Sequence, residues 1–231
     1  MSTLFVVSTP IGNQADISLR ALETLWSVDI ILCEDTRESG SLLNNFKSHF
    51  DKPYPKLLSY TEHNENMRIP EIIANLKNGI NYALVTDRGT PVISDPGYKL
   101  VREVINLSKS DSSIKVDVIP GANAILPSLI LSGFPPDKFI FLGFLPKQKS
   151  KQIELITNLP KITTIFYDSP KRLLTTLSVI KDTLGDLEVA ICLEMTKMFQ
   201  KVWINKIDYL ISQINESDLK GEITVVLNLA N

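Results

Sequence analysis

Four polar loops follow predicted strands in the first half of the chain, and their residues could hold a ligand or move a proton. They are residues 8–13, 34–37, 86–97 and 120–124. The carboxyl ends of parallel strands meet at one edge of a sheet, so we expect these loops to surround one ligand site. An ordinary strand-to-helix connection is the alternative explanation for each loop taken alone.

Acids and cations are concentrated in two of the segments that follow strands. Glu34, Asp35 and Arg37 come directly after an apolar strand. One carboxylate could take or orient a proton, and a guanidinium can bind a phosphate through two hydrogen bonds. An exposed helix start would explain the same residues, because the helix dipole favours acids there. His63 and Glu65 lie in a segment rich in hydrogen-bonding groups, for which a surface loop is the alternative.

The loops lack the glycine pattern of a dinucleotide site and the sequence of a phosphate-binding P-loop. Their glycines and prolines instead suit backbone walls close to a flat, partly cationic ligand. The small residues Gly121, Ala122 and Ala124 would leave room for an adenine or a ribose, and close helix-to-strand packing explains them equally well. With two histidines and no metal-binding spacing of cysteine or histidine, we expect no transition metal.

Two segments of the second half are locally basic. Residues 144–151 contain three lysines beside an aromatic side chain, and residues 167–172 contain two cations after a predicted strand. Such segments are usually solvated surfaces. They are also the best places in this chain for a polyanion to dock, because no other basic concentration lies near a predicted strand end.

Composition excludes several classes of function. A net charge of −2 and a pI near 5.8 argue against a strongly basic, sequence-blind nucleic-acid binder and count mildly against an RNA substrate. No apolar run is long enough to span a membrane, and the N-terminus does not resemble a signal peptide. Cys33 and Cys192 lie in apolar runs, which indicates reduced core thiols and a cytoplasmic location.

The hydrophobic pattern predicts two α/β domains. In residues 1–133, strands alternate with helical periodicity, which favours a mainly parallel sheet with crossover helices. A segment rich in proline and glycine at residues 132–137 marks the boundary, and residues 134–231 predict a mixed sheet. Strands are expected at residues 4–8, 29–33, 56–59, 82–85, 115–119, 139–143, 162–167, 188–194, 201–205 and 222–229. Helices are expected near residues 19–26, 37–46, 68–77, 98–107, 124–131, 149–158, 171–184 and 207–214.

Taken in order, these segments resemble the tetrapyrrole methylase superfamily, and within it the ribosomal RNA small subunit methyltransferase I subfamily. The resemblance extends from the first strand to Gly221 and Glu222. The residues that carry it are Thr9–Asn13, Asp16, Ile17, Arg20–Leu22, Glu34–Arg37, His63–Glu65, Asp87, Gly89–Pro91, Asp95–Tyr98, Pro120, Gly121, Gly143–Pro146, Phe166, Tyr167, Glu194, Thr196 and Lys197.

The resemblance implies a methyltransferase that uses S-adenosylmethionine, with the cofactor in a cleft between two α/β domains. It implies methylation of a cytidine ribose 2′-oxygen in the small-subunit ribosomal RNA or the 30S particle, and a homodimer. The implied cofactor-binding residues are Pro10, Ile11, Gly12, Asp87, Gly89, Thr90, Pro91, Ile93, Gly121, Ala122, Ala124, Tyr167, Leu193 and Gly221. The implied substrate-side or catalytic residues are Glu34, Asp35, Arg37, His63 and Glu65.

The chain departs from the family pattern at three places. Arg88 stands where relatives usually carry a small residue, and residues 191–193 lack an alanine and an arginine that are usual there. The chain stops at Asn231, without the extra C-terminal segment of many relatives. These departures keep two alternatives open: a small-molecule methyltransferase acting on a tetrapyrrole, and a non-catalytic protein that binds the cofactor or the ribosome.

Overall fold

A computed structural model describes residues 1–53 and 55–230 of the chain. It divides into two compact units, Met1–Asn123 and Ala124–Asn231. Each unit is built around one five-stranded sheet. Where the structure describes the chain, at residues 1–53 and 55–230, no helix is long and apolar enough to cross a membrane.

The first unit contains a wholly parallel sheet with the strand order β3-β2-β4-β1-β5. Its strands are β1 (Ser2–Val7), β2 (Ile30–Cys33), β3 (Lys56–Ser59), β4 (Tyr82–Leu84) and β5 (Ile114–Ile119). Its helices are α1 (Leu19–Ser27), α2 (Thr36–Phe46), α3 (Glu65–Lys77) and α4 (Tyr98–Ser108). Because every strand runs the same way, all five carboxyl ends lie at one edge.

The helices cover both faces of this sheet, as a parallel sheet requires. Leu22 and Leu25 of α1 pack with Ile31 and Cys33 of β2 on one face. On the other face, α3 and α4 pack against the intervening strand positions, such as Leu32. Cys33 is therefore a buried core thiol, as predicted, and burial raises its pKa to about 11.

The second unit contains a mixed sheet with the order β6-β7-β10-β8-β9. Its strands are β6 (Phe139–Phe144), β7 (Thr163–Asp168), β8 (Glu188–Leu193), β9 (Lys201–Lys206) and β10 (Ile223–Leu227). Its helices are α5 (Ile125–Ser132), α6 (Lys149–Thr157), α7 (Leu173–Leu184) and α8 (Ile207–Gln213). Only β6 and β7 pair in parallel, and the other three pairings are antiparallel.

Helix α5 belongs to the second unit by its contacts. Leu129 of α5 packs in one cluster with Ile165 of β7, Ala190 of β8 and Val226 of β10. The sequence analysis placed this helix in the first domain, because proline and glycine after residue 132 were the strongest local signal for a boundary. Local turn chemistry marks where a helix ends, and only packing shows which sheet the helix covers.

The predicted fold class is confirmed: one mainly parallel and one mixed α/β sheet are present. All the strands and helices expected from the sequence occur within a few residues of their predicted bounds. The largest difference is α3, which begins at Glu65 rather than near Arg68. Asn64 precedes this start, and its side chain ties the preceding loop together by accepting from the Thr61 amide at 2.8 Å and donating to the Ser59 carbonyl at 3.2 Å.

Candidate functional site

The carboxyl edge of the first sheet gathers the loops that the sequence analysis singled out. Residues 8–13 follow β1, residues 34–37 follow β2, residues 86–97 follow β4 and residues 120–123 follow β5. Hydrogen bonds join these loops directly to one another, as described below. The predicted convergence of the loops is therefore present within this unit.

The β1 and β4 loops are joined at Thr9 and Gly89. The Thr9 amide donates to the Gly89 carbonyl at 2.8 Å, and the Gly89 amide donates back to the Thr9 carbonyl at 3.2 Å. The Thr9 hydroxyl also donates to the Thr86 carbonyl at 3.1 Å. These bonds give the two central loops a fixed separation, so the floor of the edge is preorganised.

The β5 loop joins the same network through hydroxyl groups. The Ser8 and Thr90 hydroxyls lie 2.9 Å apart, and the Thr90 hydroxyl donates to the Ala122 carbonyl at 3.2 Å. Gly121 packs so closely that a Cβ atom there would lie 2.8 Å from Ser8 Cβ. Close packing between the β1 and β5 loops therefore requires glycine at position 121, whether or not a ligand also approaches.

The acids of the β2 and β4 loops form one cluster. Glu34 Oε2 accepts a hydrogen bond from the Thr86 hydroxyl at 2.9 Å, and Asp87 Oδ1 accepts one from the Asp35 amide at 3.0 Å. Asp35 caps α2 by accepting from the Arg37 amide at 2.8 Å, and it also binds the Arg37 guanidinium. The helix-start explanation thus holds for Asp35. Glu34 is instead oriented by Thr86 of the β4 loop.

Electrostatics separate the two aspartates of this cluster. Partial burial raises the pKa of Asp87, and the nearby charges of Glu34, Asp35 and Glu38 raise it further, against the hydrogen bond from the Asp35 amide. The hydrogen bonds and charge of Arg37 lower the pKa of Asp35 to about 2. With three carboxylates and one guanidinium, the cluster has a net negative charge and suits a cationic ligand.

His63 and Glu65 have different surroundings. Glu65 is buried at the start of α3, where it accepts from the Tyr60 hydroxyl at 3.4 Å and pairs with Lys99 at 2.7 Å. Lys99 lies in the first turn of α4, so this ion pair ties α3 to the start of α4, just after the β4 loop. His63 is exposed, and it makes no hydrogen bond within residues 1–53 and 55–230.

The far part of the β4 loop has an unusual backbone. Val92 and Ser94 adopt φ values of 77° and 68°, a region that a β-branched residue such as valine rarely enters. Ile93 between them is exposed. Such conformations persist only where surrounding contacts enforce them, and they concentrate at ligand-binding loops. Arg88, the departure from the family pattern, is also exposed on this loop.

The second unit has its own edge, which carries the remaining predicted residues. Tyr167 pairs with Thr224, and Leu193 pairs with Ile223, two residues after Gly221. At Gly221 a Cβ atom would lie 2.1 Å from Glu194 Oε1, and the backbone has a φ of 105°. The Glu194 carboxylate thus explains this glycine, since it accepts from the Glu222 amide at 2.8 Å and from Lys197.

The sequence placed Ser8 and Thr86 in the site loops without giving either a role, and it did not indicate Lys99, although all three organise the first edge. Each acts through a hydrogen bond or ion pair to a residue distant in the chain, so no local pattern could reveal its role. The position of Ser8 and Thr86 just beyond strand ends is the one signal that was available. Within residues 1–53 and 55–230 there is no group of three or more acids, histidines or cysteines that could hold a metal ion.

Comparison with known proteins relates the chain to methyltransferases. Residues 3–211 match the family model described as Tetrapyrrole (Corrin/Porphyrin) Methylases. The chain is 46% identical over 230 residues to a ribosomal RNA small subunit methyltransferase I of Thermotoga maritima, covering 99% of both chains. It is 41% identical over 233 residues to the protein of that name in Bacillus subtilis, covering 100% of this chain and 76% of the relative.

Solved structures with low sequence identity share the fold. A cobalt precorrin-4 methyltransferase of cobalamin biosynthesis aligns with a TM-score of 0.67 at 15% identity, covering 99% of this chain and 95% of the other. A diphthine synthase aligns with a TM-score of 0.69 at 15% identity, covering 98% and 90%. At such identity, these structures support the architecture and carry no information about the substrate.

Proposed function

Because the chain belongs to the tetrapyrrole methylase family and is a methyltransferase, we propose that it uses S-adenosylmethionine to methylate small-subunit ribosomal RNA. The proposed acceptor is the 2′-oxygen of a cytidine ribose. Relatives that are 46% and 41% identical to this chain over nearly its whole length are named ribosomal RNA small subunit methyltransferase I. The structural observation that carries the proposal is the hydrogen-bonded edge of the first unit, where carboxylates stand beside four joined loops.

This edge fits the charge of the proposed cofactor. S-adenosylmethionine supplies an electrophilic methyl group on a positively charged sulfur. Glu34, Asp35 and Asp87 place negative charge at the carboxyl edge of the first sheet. The positive charge of Arg37 offsets only part of it. The Thr9–Gly89 pair and the Thr90–Ala122 bond hold the backbone of three loops together at this edge, and such backbone walls suit a flat nucleoside. The cofactor-binding assignments made from the sequence remain part of this proposal.

Glu34 is the residue we propose as proton acceptor. The bound cofactor would supply an electrophilic methyl group, and the ribose hydroxyl that accepts it must release its proton to a base. The Thr86 hydroxyl holds Glu34 Oε2, and Glu34 Oε1 has no hydrogen bond in the described part of the chain. Asp35 is a poorer base, because Arg37 lowers its pKa to about 2.

The other predicted catalytic residues take supporting roles in this proposal. Arg37 is exposed at the start of α2, where its guanidinium can reach an RNA phosphate while Asp35 orients it. His63 is exposed on the loop after β3 and is available to substrate. Glu65 is buried between Tyr60 and Lys99, so we assign it the positioning of α3 and α4 rather than contact with the reacting atoms.

We also propose a homodimer that works in the cytoplasm, where ribosomal subunits are found. Support for the dimer comes from α5, whose side chains Leu126, Ile130 and Leu131 are exposed although the helix is apolar. Exposed apolar groups on one short helix are typical of a protein interface.

No observation favours the tetrapyrrole alternative, since the structure named for a corrin precursor shares only the fold.

The test is transfer of labelled methyl from S-adenosylmethionine to small ribosomal subunits that lack the modification. We expect label at a cytidine ribose with the unaltered chain and about a 100-fold lower rate with Glu34→Gln, which keeps an acceptor for Thr86 but cannot take a proton. Calorimetric binding of S-adenosylmethionine to both proteins separates the loss of the proton acceptor from the loss of one of the three negative charges. Absence of label at every cytidine ribose would refute the proposed substrate, and an unchanged rate for Glu34→Gln would refute its role.

A further inference from the structure

A basic surface lies at the carboxyl ends of β6 and β7 in the second unit, within the two segments where the sequence favours docking of a polyanion, and the proposed function does not use it. These two strands pair in parallel, so their carboxyl ends are neighbours. The cations that follow them are Lys147, Lys149, Lys151, Lys171 and Arg172. We call these five residues the β6–β7 basic surface.

The positive charge of the four lysines of this surface is not neutralised by ion pairs. The four lysines are exposed, and none of them makes an ion pair with a carboxylate within residues 1–53 and 55–230. No acid occurs between Lys138 and Ile153. The one acid at the end of β7, Asp168, is buried and lies 3.6 Å from Arg172. A protein of net charge −2 thus has a local concentration of free cations.

An exposed aromatic ring stands beside these lysines. Phe144, the last residue of β6, is 59% exposed, and its ring packs edge-on against Tyr167 at 5.5 Å between centroids. Gly143 before it has a φ of 64°, and the pairing of β6 with β7 is irregular between Phe141 and Phe144. Such an irregularity redirects the side chains of a strand.

Arg172 fixes the segment that carries Phe144 and Lys147. Its Nη2 donates to the Leu145 carbonyl at 3.1 Å and to the Pro146 carbonyl at 3.4 Å. Leu145 is itself buried in the core of the unit. The loop after β6 is therefore held against the start of α7, and its aromatic and basic groups have a defined arrangement before any ligand binds.

The placement of the lysines indicates an anionic partner. Lys149 and Lys151 lie in the first turn of α6, which contains no acid and no side-chain cap. Cations at a helix N-terminus are disfavoured by the helix dipole. A bound phosphate would offset this unfavourable arrangement, because it would interact with both lysines and with the exposed amides of the helix end.

We propose that the β6–β7 basic surface docks a single-stranded segment of the RNA substrate. The lysines would contact consecutive phosphates, and an unpaired base would stack on Phe144, since a ring at the surface can stack only on a base that is not paired. This inference rests on the proposed function, because it takes RNA to be the substrate. It adds a site of substrate binding distinct from the residues assigned to cofactor and proton.

Matched double variants test the docking surface. Lys147→Gln with Lys171→Gln removes one cation after each strand, whereas Lys138→Gln with Lys161→Gln removes one before each of the same strands. The measurement is the affinity for a labelled single-stranded oligonucleotide of small-subunit ribosomal RNA sequence, over a series of salt concentrations. We expect the slope of log affinity against log salt to become shallower by about 1.4 for the first variant only.

The aromatic contribution has its own matched pair. Phe144→Ala should weaken binding of the same oligonucleotide about tenfold through loss of base stacking. Phe139→Ala, at the opposite end of β6, should leave the affinity unchanged. Thermal unfolding of all four variants shows whether each is folded as the unaltered chain is.

Three results would overturn the inference: equal slopes for the two double variants, equal affinities for the two phenylalanine variants, or equally tight binding of a fully paired duplex. Methyl transfer by the unaltered chain separates this inference from the proposed function. If RNA binds through this surface but no ribose is methylated, the proposed function fails and the docking surface stands. If ribose is methylated but the variants bind RNA as tightly as the unaltered chain, the proposed function stands and the docking surface is wrong.

Discussion

At the scale of single residues, Asp87 is a carboxylate whose negative charge is unfavourable in the folded chain. Its pKa is raised by partial burial and by neighbouring carboxylates, so the ionised form is less stable in the fold than in the unfolded chain. Proteins retain such groups where function requires the charge. We assign that function to attraction of the positively charged methyl donor.

The substitution Asp87→Asn tests this assignment. Asparagine keeps an oxygen to accept from the Asp35 amide but removes the charge. We expect S-adenosylmethionine to bind about tenfold more weakly by calorimetry, a loss of about 1.4 kcal/mol. We also expect the variant to unfold at a higher temperature at pH 7 than the unaltered chain.

The pH dependence of this stability difference follows from the sign of the shift. A carboxyl whose folded pKa is raised favours the folded state while it is protonated, and that stability is lost as the pH rises through its folded pKa. The stability advantage of Asp87→Asn over the unaltered chain should therefore grow as the pH rises from about 4 through the raised pKa of Asp87, and it should level off above that pKa. An advantage that grows on acidification would contradict the assignment.

At the scale of elements, the β4 loop depends on the backbone at Gly97, just before α4. This residue has a φ of 126°, and a Cβ atom there would lie 2.5 Å from Leu84 Cδ2 and 3.2 Å from Val92 Cγ2. Leu84 is a core residue of β4, and Val92 is the strained residue of the loop. Gly97 therefore lets the loop return closely over the strand from which it begins.

Two alanine substitutions separate the backbone cost from the packing cost. Gly79 has a φ of 90° and no atom within 4 Å of a built Cβ, so Gly79→Ala should cost about 1 kcal/mol from the backbone alone. Gly97→Ala should lower the free energy of unfolding by about 1–3 kcal/mol more than Gly79→Ala does, because the new methyl group also crowds Leu84. The free energy of unfolding of both variants is measured by urea denaturation. Equal losses for Gly79→Ala and Gly97→Ala would show that Leu84 and Val92 move aside without cost.

At the scale of the whole molecule, the exposed face of α5 is the feature that a single chain leaves unexplained. Ile130 is 76% exposed, while Leu129 beside it is buried in the second unit. Helix α5 thus has apolar side chains on its packed face and on its free face, a pattern usually found where a helix is covered on both sides. The proposed homodimer would supply the second cover.

Sedimentation tests the dimer with two matched substitutions. Ile130→Glu should shift the chain from dimer to monomer at micromolar concentration, because it places a charge on the proposed interface. Leu19→Glu changes an equally exposed apolar residue, 79% exposed on α1, and should leave the dimer intact. A monomeric unaltered chain would rule out the dimer, and a dimer that survives Ile130→Glu would move the interface elsewhere.

The sequence alone determined the order and type of the elements, because alternating apolar periods and turn residues report local structure directly. It also indicated the loops after β1, β2, β4 and β5 as candidate site loops, since in a parallel sheet every strand end lies at the same edge. The family was recognisable because the residues that carry it are short, local segments.

The tertiary structure alone decided which of those residues act together. The bonds Thr86 to Glu34 and Asp35 to Asp87 each join residues 52 positions apart, so no local pattern could reveal them. Packing likewise decided that Gly121 accommodates Ser8, that α5 covers the second sheet and that Glu65 is buried under Lys99. Side-chain roles at this site depend on neighbours that only folding brings together, and the fold itself depends on patterns that the chain carries locally.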